Sequence, residues 1–268
     1  MTKLLKKTKK SAGIEARIKS LDEIEPFVTM LCYGKSGSGK TVFGSTWPKP
    51  ILLLDIREEG EESITDVKGI DKLSVETWDD LEEIYWMLEA GTKYSSVMLD
   101  QLTAMQALGM QKIREENNQK PSDVFSQRSW GRLGGLMQQW IYNFRELKKK
   151  EYHILFNAHE RIRDSQEDGS DDRIAPAVGA NLTQGTASFA NGAVSVIGNT
   201  FIREVVDKKA KTRDIQYCMR VGAHAYYAAK LRRPVSAGPP PDVIVNPTFE
   251  KVLRLSKGES LTRKVKKV

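Results

Sequence analysis

The chain has 268 residues, 40% of them hydrophobic, and a formal net charge of +7. That is enough apolar material for one sizeable α/β domain; no apolar run approaches the ~20 residues a membrane helix needs, and the lysine-bearing start lacks the apolar core of a secretory signal. Two cysteines, Cys32 and Cys218, provide neither a disulfide framework nor metal-ligand spacing, so a soluble protein of a reducing cytoplasm, with no membrane partner, is expected.

The basic charge is concentrated at the ends. Residues 1–20 hold seven Lys/Arg against one Glu, and residues 257–268 hold five against one. The expected division is therefore a basic N-terminal arm (1–20), one domain (21–256) and a basic C-terminal tail (257–268). Such arms either grip a phosphate backbone through counterion release or stay solvated.

Residues 27–33 are rich in β-branched and aromatic side chains and read as a strand. It runs into Gly34-Lys35-Ser36-Gly37-Ser38-Gly39-Lys40-Thr41, a G-x-x-x-x-G-K-T phosphate-binding loop. Its glycines let successive backbone N–H groups turn toward an anion. Lys40 brings a point charge to the β/γ-phosphates, and the Thr41 hydroxyl is placed to hold Mg²⁺. The motif implies a nucleoside triphosphate together with Mg²⁺.

The run 51–55 (ILLLD) has the unbroken apolar pattern of a parallel strand buried on both faces, and acids follow it: Asp55, Glu58, Glu59, Glu61 and Glu62. Thr77 to Asp80 resembles a capping box, and Leu81, Ile84, Tyr85 and Leu88 continue at helical spacing to Gly91. Residues 96–100 (SVMLD) form a second apolar run ending in an acid, Asp100, which is placed to hold Mg²⁺ beside Thr41. A helix is expected over about 101–119, up to Pro121. A longer one follows, with Trp130, Leu133, Met137, Trp140, Ile141 and Phe144 on its buried face.

Residues 153–159 read as another strand, ending at His159 on the level of Asp55 and Asp100. Ligands of open α/β sheets gather at that edge, which makes His159 a candidate γ-phosphate sensor. Two long polar or glycine-containing stretches, 161–172 and 179–192, are expected to be mobile loops. Residues 194–197 rejoin the sheet, 200–206 and 215–221 read as a hairpin around a basic turn, and Lys230-Leu231-Arg232-Arg233 precedes Pro239-Pro240-Pro241.

This order of parts resembles the RecA-like P-loop ATPase core, and more narrowly the short phage RecA-like proteins, a phage nucleotide-binding group linked to single-strand annealing recombination. The resemblance implies an α/β fold with a mostly parallel twisted sheet flanked by helices and a late β-hairpin, and ATP as the nucleotide. AAA+ proteins place a catalytic Glu directly after the Asp of the second motif, whereas Gln101 stands there in this chain. The RecA-like family draws its water-activating Glu from the strand after the P-loop. Its Asp-x-Glu spacing falls on Arg57 here, so the chain departs by at least one residue, making Glu58 the candidate and Glu59 the reserve. The resemblance further implies that His159 is the switch moving two DNA-binding loops, with Arg161, Arg163, Asn181, Gln184 and Phe189 contacting DNA. Lys230 and Arg232 match a Lys-x-Arg pair that related ring and filament ATPases insert into a neighbour's site. The partners implied are single-stranded DNA, further copies of the chain in a ring or filament, and a single-strand DNA-binding protein, in the cytoplasm of a bacterial host. A KaiC-like P-loop kinase and a DNA-translocating motor or helicase-type ATPase are the alternatives that the P-loop also permits.

Overall fold

Apolar runs without polar alternation need cover on both faces, and the chain supplies it with helices on each side of one sheet. The computed structural model describes residues 18, 20, 27–57, 60–163, 178–207 and 212–261. The basic N-terminal arm, those two residues apart, and the tail from residue 262 lie outside them. So do the candidates Glu58 and Glu59.

The strands are β1 (Thr29–Gly34), β2 (Ile51–Asp55), β3 (Ile70–Ser74), β4 (Ser96–Asp100), β5 (His153–Ile162), β6 (Val178–Ala180), β7 (Val196–Asp207), β8 (Thr212–Arg220), β9 (Lys230–Leu231) and β10 (Val243–Val245). They hydrogen-bond in the order β10-β8-β7-β1-β5-β4-β2-β3, with β6 on β5 and β9 on β7. The pairs from β7 through to β3 are parallel and those of the late hairpin are antiparallel. This is the mixed α/β, mostly parallel fold with a late hairpin that the sequence implies. On the outer side of the hairpin β10 covers only residues 218–220 of β8.

Along β1 the side chains alternate between two cores. Leu31 and Tyr33 join Leu81, Leu108, Leu133 and Met137 on one face, which is covered by α2 (Trp78–Glu89), α3 (Leu102–Glu116) and α4 (Gln127–Glu146). Met30 and Cys32 join Phe43, Trp47, Phe249 and Val252 on the other, under α1 (Lys40–Gly44) and α6 (Phe249–Ser256). Each large apolar side chain so buried is worth about 1.5–3 kcal/mol, which fixes the height of β1 and of the loop leaving it. The capping box expected at α2 is present: the Thr77 side chain accepts from the Asp80 N–H, and Asp80 accepts from the Thr77 N–H at 2.8 Å. Backbone N–H groups, that of Thr77 first, hold the Asp80 carboxyl below its usual pKa.

Three expectations are corrected. Trp130 is 41% exposed; it lies in the first turn of α4, edge-on to Phe125 at 4.9 Å, while the neighbouring Ser129 is buried. The stretch 179–192 is not a loop: it holds the end of β6 and then α5 (Gln184–Ala193), whose Ala187 and Ala190 are buried. Burial against α4 outweighs the roughly 1 kcal/mol that each glycine costs in a helix. Residues 194–197 and 200–206 do not form separate strands, because β7 runs through Gly198, where a Cβ would meet Met219 Sδ at 2.6 Å and Met30 Cε at 2.7 Å.

Candidate functional site

The site begins where β1 ends. At Gly34 a Cβ would stand 2.3 Å from Thr200 Oγ1 and 2.4 Å from the Thr200 carbonyl oxygen, so only glycine lets the loop leave β1 against β7. Gly39 has φ +89°, in the left-handed region. Ser38 ties the loop down: its hydroxyl donates to the Lys35 carbonyl at 2.7 Å and lies 2.8 Å from Thr200 Oγ1. The buried Lys40 ammonium donates to the carbonyls of Gly34 and Lys35 at 3.2 and 3.0 Å. Its charge is thereby held at the mouth of the loop, bonded to neutral carbonyls that an anionic oxygen would outbid.

Beside it, Asp55 and Asp100 are register partners at the ends of β2 and β4. The Thr41 hydroxyl donates to Asp100 Oδ2 at 2.9 Å. Lys72 of β3 pairs with Asp55 at 2.8 Å and with Glu61; its bonds to Asp55 and then Glu61 hold its pKa above the usual lysine range. Asp55 is thus engaged in a structural pair, while Asp100 faces Thr41. Gly60 closes over them, since a Cβ there would be 3.3 Å from Thr41 Oγ1 and 3.7 Å from Asp100 Oδ2. One hydroxyl and one carboxylate suit Mg²⁺, which keeps water and phosphate oxygens as its other ligands. Among the described residues no cluster of three or more His, Cys, Asp or Glu forms a protein-only metal cage.

His159 stands near the end of β5, the strand between β1 and β4. Its Nε2 is 2.6 Å from Nε2 of the buried Gln101, and its backbone N–H donates to Thr103 Oγ1 at 3.3 Å. Gln101, which stands where AAA+ proteins carry a catalytic Glu, therefore positions the imidazole. Two residues earlier on the same face, Asn157 is fully buried with neither amide atom hydrogen-bonded. Its register neighbour Cys32 has a thiol pushed up to about 12, chiefly by burial, so this cysteine is a small core residue.

A cavity of about 270 Å³ joins these groups, lined by Ser36, Gly37, Gly39, Lys40, Thr41, Asp100, Gln101 and His159. Of the expected site residues, the loop, Asp100 and His159 are thus brought together. Val42, Gly60, Ser63 and Tyr217 of β8 also line the cavity; sequence reasoning missed them, Tyr217 because only the fold brings the hairpin to the loop.

Lys230 and Arg232 are placed elsewhere. Lys230 pairs with Ile197, level with Leu31, and the Arg232 N–H bonds Ser195 O, level with Thr29. They lie toward the amino-terminal ends of the parallel strands, away from the loop. There Lys230 donates to the Asn191 carbonyl and Arg232 to the Gly192 carbonyl at 3.2 Å, closing the C-terminus of α5, where cations suit the helix dipole. Burial, with Arg232 adjacent, pushes the Lys230 ammonium down to about 8. Arg161 is exposed on β5 and Arg163 follows the strand, half-buried. Asn181 joins the sheet through its N–H to His159 O at 2.8 Å. Gln184 opens α5, and Phe189 is half-buried against the core beneath that helix.

Residues 27–233 match the model of a family described as an AAA domain. Among solved structures the chain is similar to the flagellar accessory protein FlaH from Methanocaldococcus jannaschii, with 10% identity over 82% of this chain and 89% of that one and a TM-score of 0.43. No curated protein matches the sequence.

Proposed function

The chain belongs to the AAA domain family, and from that premise we propose that it is an ATPase that binds single-stranded DNA as an oligomer and acts in annealing or recombination. The observation that carries this reading is the course of β5. One strand runs from His159, in the wall of the cavity beside the phosphate loop, directly to Arg161, so the cavity-facing and outward-facing groups share a rigid element.

ATP is the nucleotide proposed. On its arrival Lys40 exchanges the Gly34 and Lys35 carbonyls for phosphate oxygens. Thr41 and Asp100 are the residues that would hold Mg²⁺, which neutralises phosphate charge when bound. Glu58, with Glu59 in reserve, orients the attacking water. His159 reads the terminal phosphate by trading its bond with Gln101 and shifts β5, and with it Arg161 and Arg163, toward or away from a DNA backbone. For Lys230 and Arg232 to serve a neighbouring subunit they must leave the carbonyls of α5.

The test is ATP hydrolysis by the purified protein with and without single-stranded DNA, at two salt concentrations, alongside Lys40→Ala and Arg161→Ala. Stimulation by DNA that falls with salt, is lost in Lys40→Ala and is weakened in Arg161→Ala supports the reading. Hydrolysis indifferent to DNA rejects it, and phosphate transfer onto a protein or metabolite instead of water replaces it with a kinase.

A further inference from the structure

We infer that Tyr217, flanked by Ile202 and Ile215, seats the base of the bound nucleotide, so that the β7–β8 hairpin supplies the half of the site that the phosphate loop lacks. This rests on the nucleotide reading above and adds to it the groups that hold the nucleoside.

The Tyr217 ring shares the cavity with the loop and packs on it: its Cδ1 and Cε1 lie 3.0 and 3.5 Å from where a Gly39 Cβ would be. Its own strand is pinned at that point, because the Tyr217 carbonyl accepts from the Asn246 N–H at 2.7 Å. Ile202 is the cross-strand register partner of Tyr217. Ile215 lies two residues before it, on the same face of the ribbon. Tyr217, Ile202 and Ile215 are 45%, 46% and 68% exposed. Three large apolar side chains thus stand exposed on one face of the ribbon, with Glu204 across from Ile215, as a shelf that begins in the wall of a polar cavity.

The chemistry divides accordingly. The loop side is lined by glycine, hydroxyl, lysine and acid, with Val42 as its one aliphatic side chain and His159 across the cavity, which suits phosphate better than a planar base. A purine has two apolar π-faces and a polar rim, and aromatic stacking supports it whichever base it is. A triphosphate seated in the loop carries its nucleoside outward, and the shelf continues from the loop at Gly39. The shelf's continuity with the phosphate cradle favours the base over a second copy of the chain as its occupant. Stacking also predicts loss of affinity without a change in base preference.

The experiment is calorimetric titration of wild type, Tyr217→Ala, Tyr217→Phe and Ile215→Ser with MgATP, MgGTP and Mg-tripolyphosphate. Tyr217→Ala is expected to weaken ATP and GTP about tenfold, in step, and to leave tripolyphosphate within about twofold. Tyr217→Phe is expected to keep wild-type affinity and Ile215→Ser to lose a smaller factor. Retained tripolyphosphate binding shows that a variant is folded; should Tyr217→Ala lose both ligands, Ile215→Ser decides by the same comparison. Unchanged ATP affinity in the alanine and serine variants overturns the inference while leaving the phosphate site standing, and so does a change in oligomeric mass without a change in affinity. A wild-type protein that binds neither ATP nor tripolyphosphate overturns the nucleotide reading itself.

Discussion

In the phosphate loop, Gly37 and Gly39 sit at φ +74° and +89°, and Gly34 lies where any side chain would overlap Thr200. In α4 and α5 the residues Gly131, Gly134, Gly135, Gly185 and Gly192 have no positive φ, and no Cβ there would come closer than the 3.8 Å at Gly185. The same residue type therefore marks an obligatory backbone shape in one region and ordinary helix in the other. Glycine density alone does not separate loop from helix. What separates them is whether apolar neighbours recur at a period that another element can bury, as Ala187 and Ala190 do in α5.

Substitution sharpens the contrast, and the largest effect belongs to Gly34→Ala. A Cβ must displace the Thr200 backbone, so stability is expected to drop by about 3 kcal/mol, read as a lower urea midpoint; a wild-type midpoint would mean that β1 and β7 are not so close. Gly39→Ala comes next, at about 1–2 kcal/mol for the left-handed conformation, with nucleotide binding lost even where the protein remains folded.

The third effect probes the face of the sheet that carries α1. His153 is packed between Phe27, Trp47 and Phe249 and accepts the Val28 N–H on Nδ1 at 3.0 Å. Burial pushes it down to about 4, against an ordinary 6.5. The unfolded chain takes the proton first on acidification, so this contribution is complete above about pH 6.5 and is lost as pH falls toward 4. Discounted for the ring's partial exposure, about 1 kcal/mol should go between pH 7 and pH 5. Thermal melts of His153→Leu should lack that part of the pH slope. The smallest effect has the opposite sign: Gly131→Ala and Gly135→Ala, in exposed turns of α4, are each expected to stabilise by about 0.5–1 kcal/mol. A loss there would mean that the glycines of α4 serve a contact.

What the sequence made legible was whatever is local. The unbroken apolar runs of β2 and β4 end where expected, the Thr77 box caps α2, and the loop motif specifies its own backbone. The edge strand β3 escaped because its five residues are largely solvated and too few to show a period. Trp130 fits the helical stripe, but in the first turn of α4 Ser129 takes the buried position and Trp130 lies edge-on to Phe125. Lys230 and Arg232 match a motif by spacing, while their bonds depend on where the C-terminus of α5 comes to rest. Tyr217 meets Gly39 only through the sheet order, which no local pattern carries.

The partial cover that β10 gives to β8 has a practical consequence. Among the described residues nothing pairs with the outer edge of β8 from 212 to 216, so that edge offers free N–H and C=O groups to any strand that approaches. Ile215 and Tyr217 stand exposed along it, and the polar restraints nearby are the Arg203–Gln216 bonds at 2.9 and 3.0 Å and the Arg213–Glu204 pair at 3.4 Å. Concentrated protein should therefore associate edge to edge through this ribbon, and a charge or proline at an outward position of β8 is the change that would keep it dispersed.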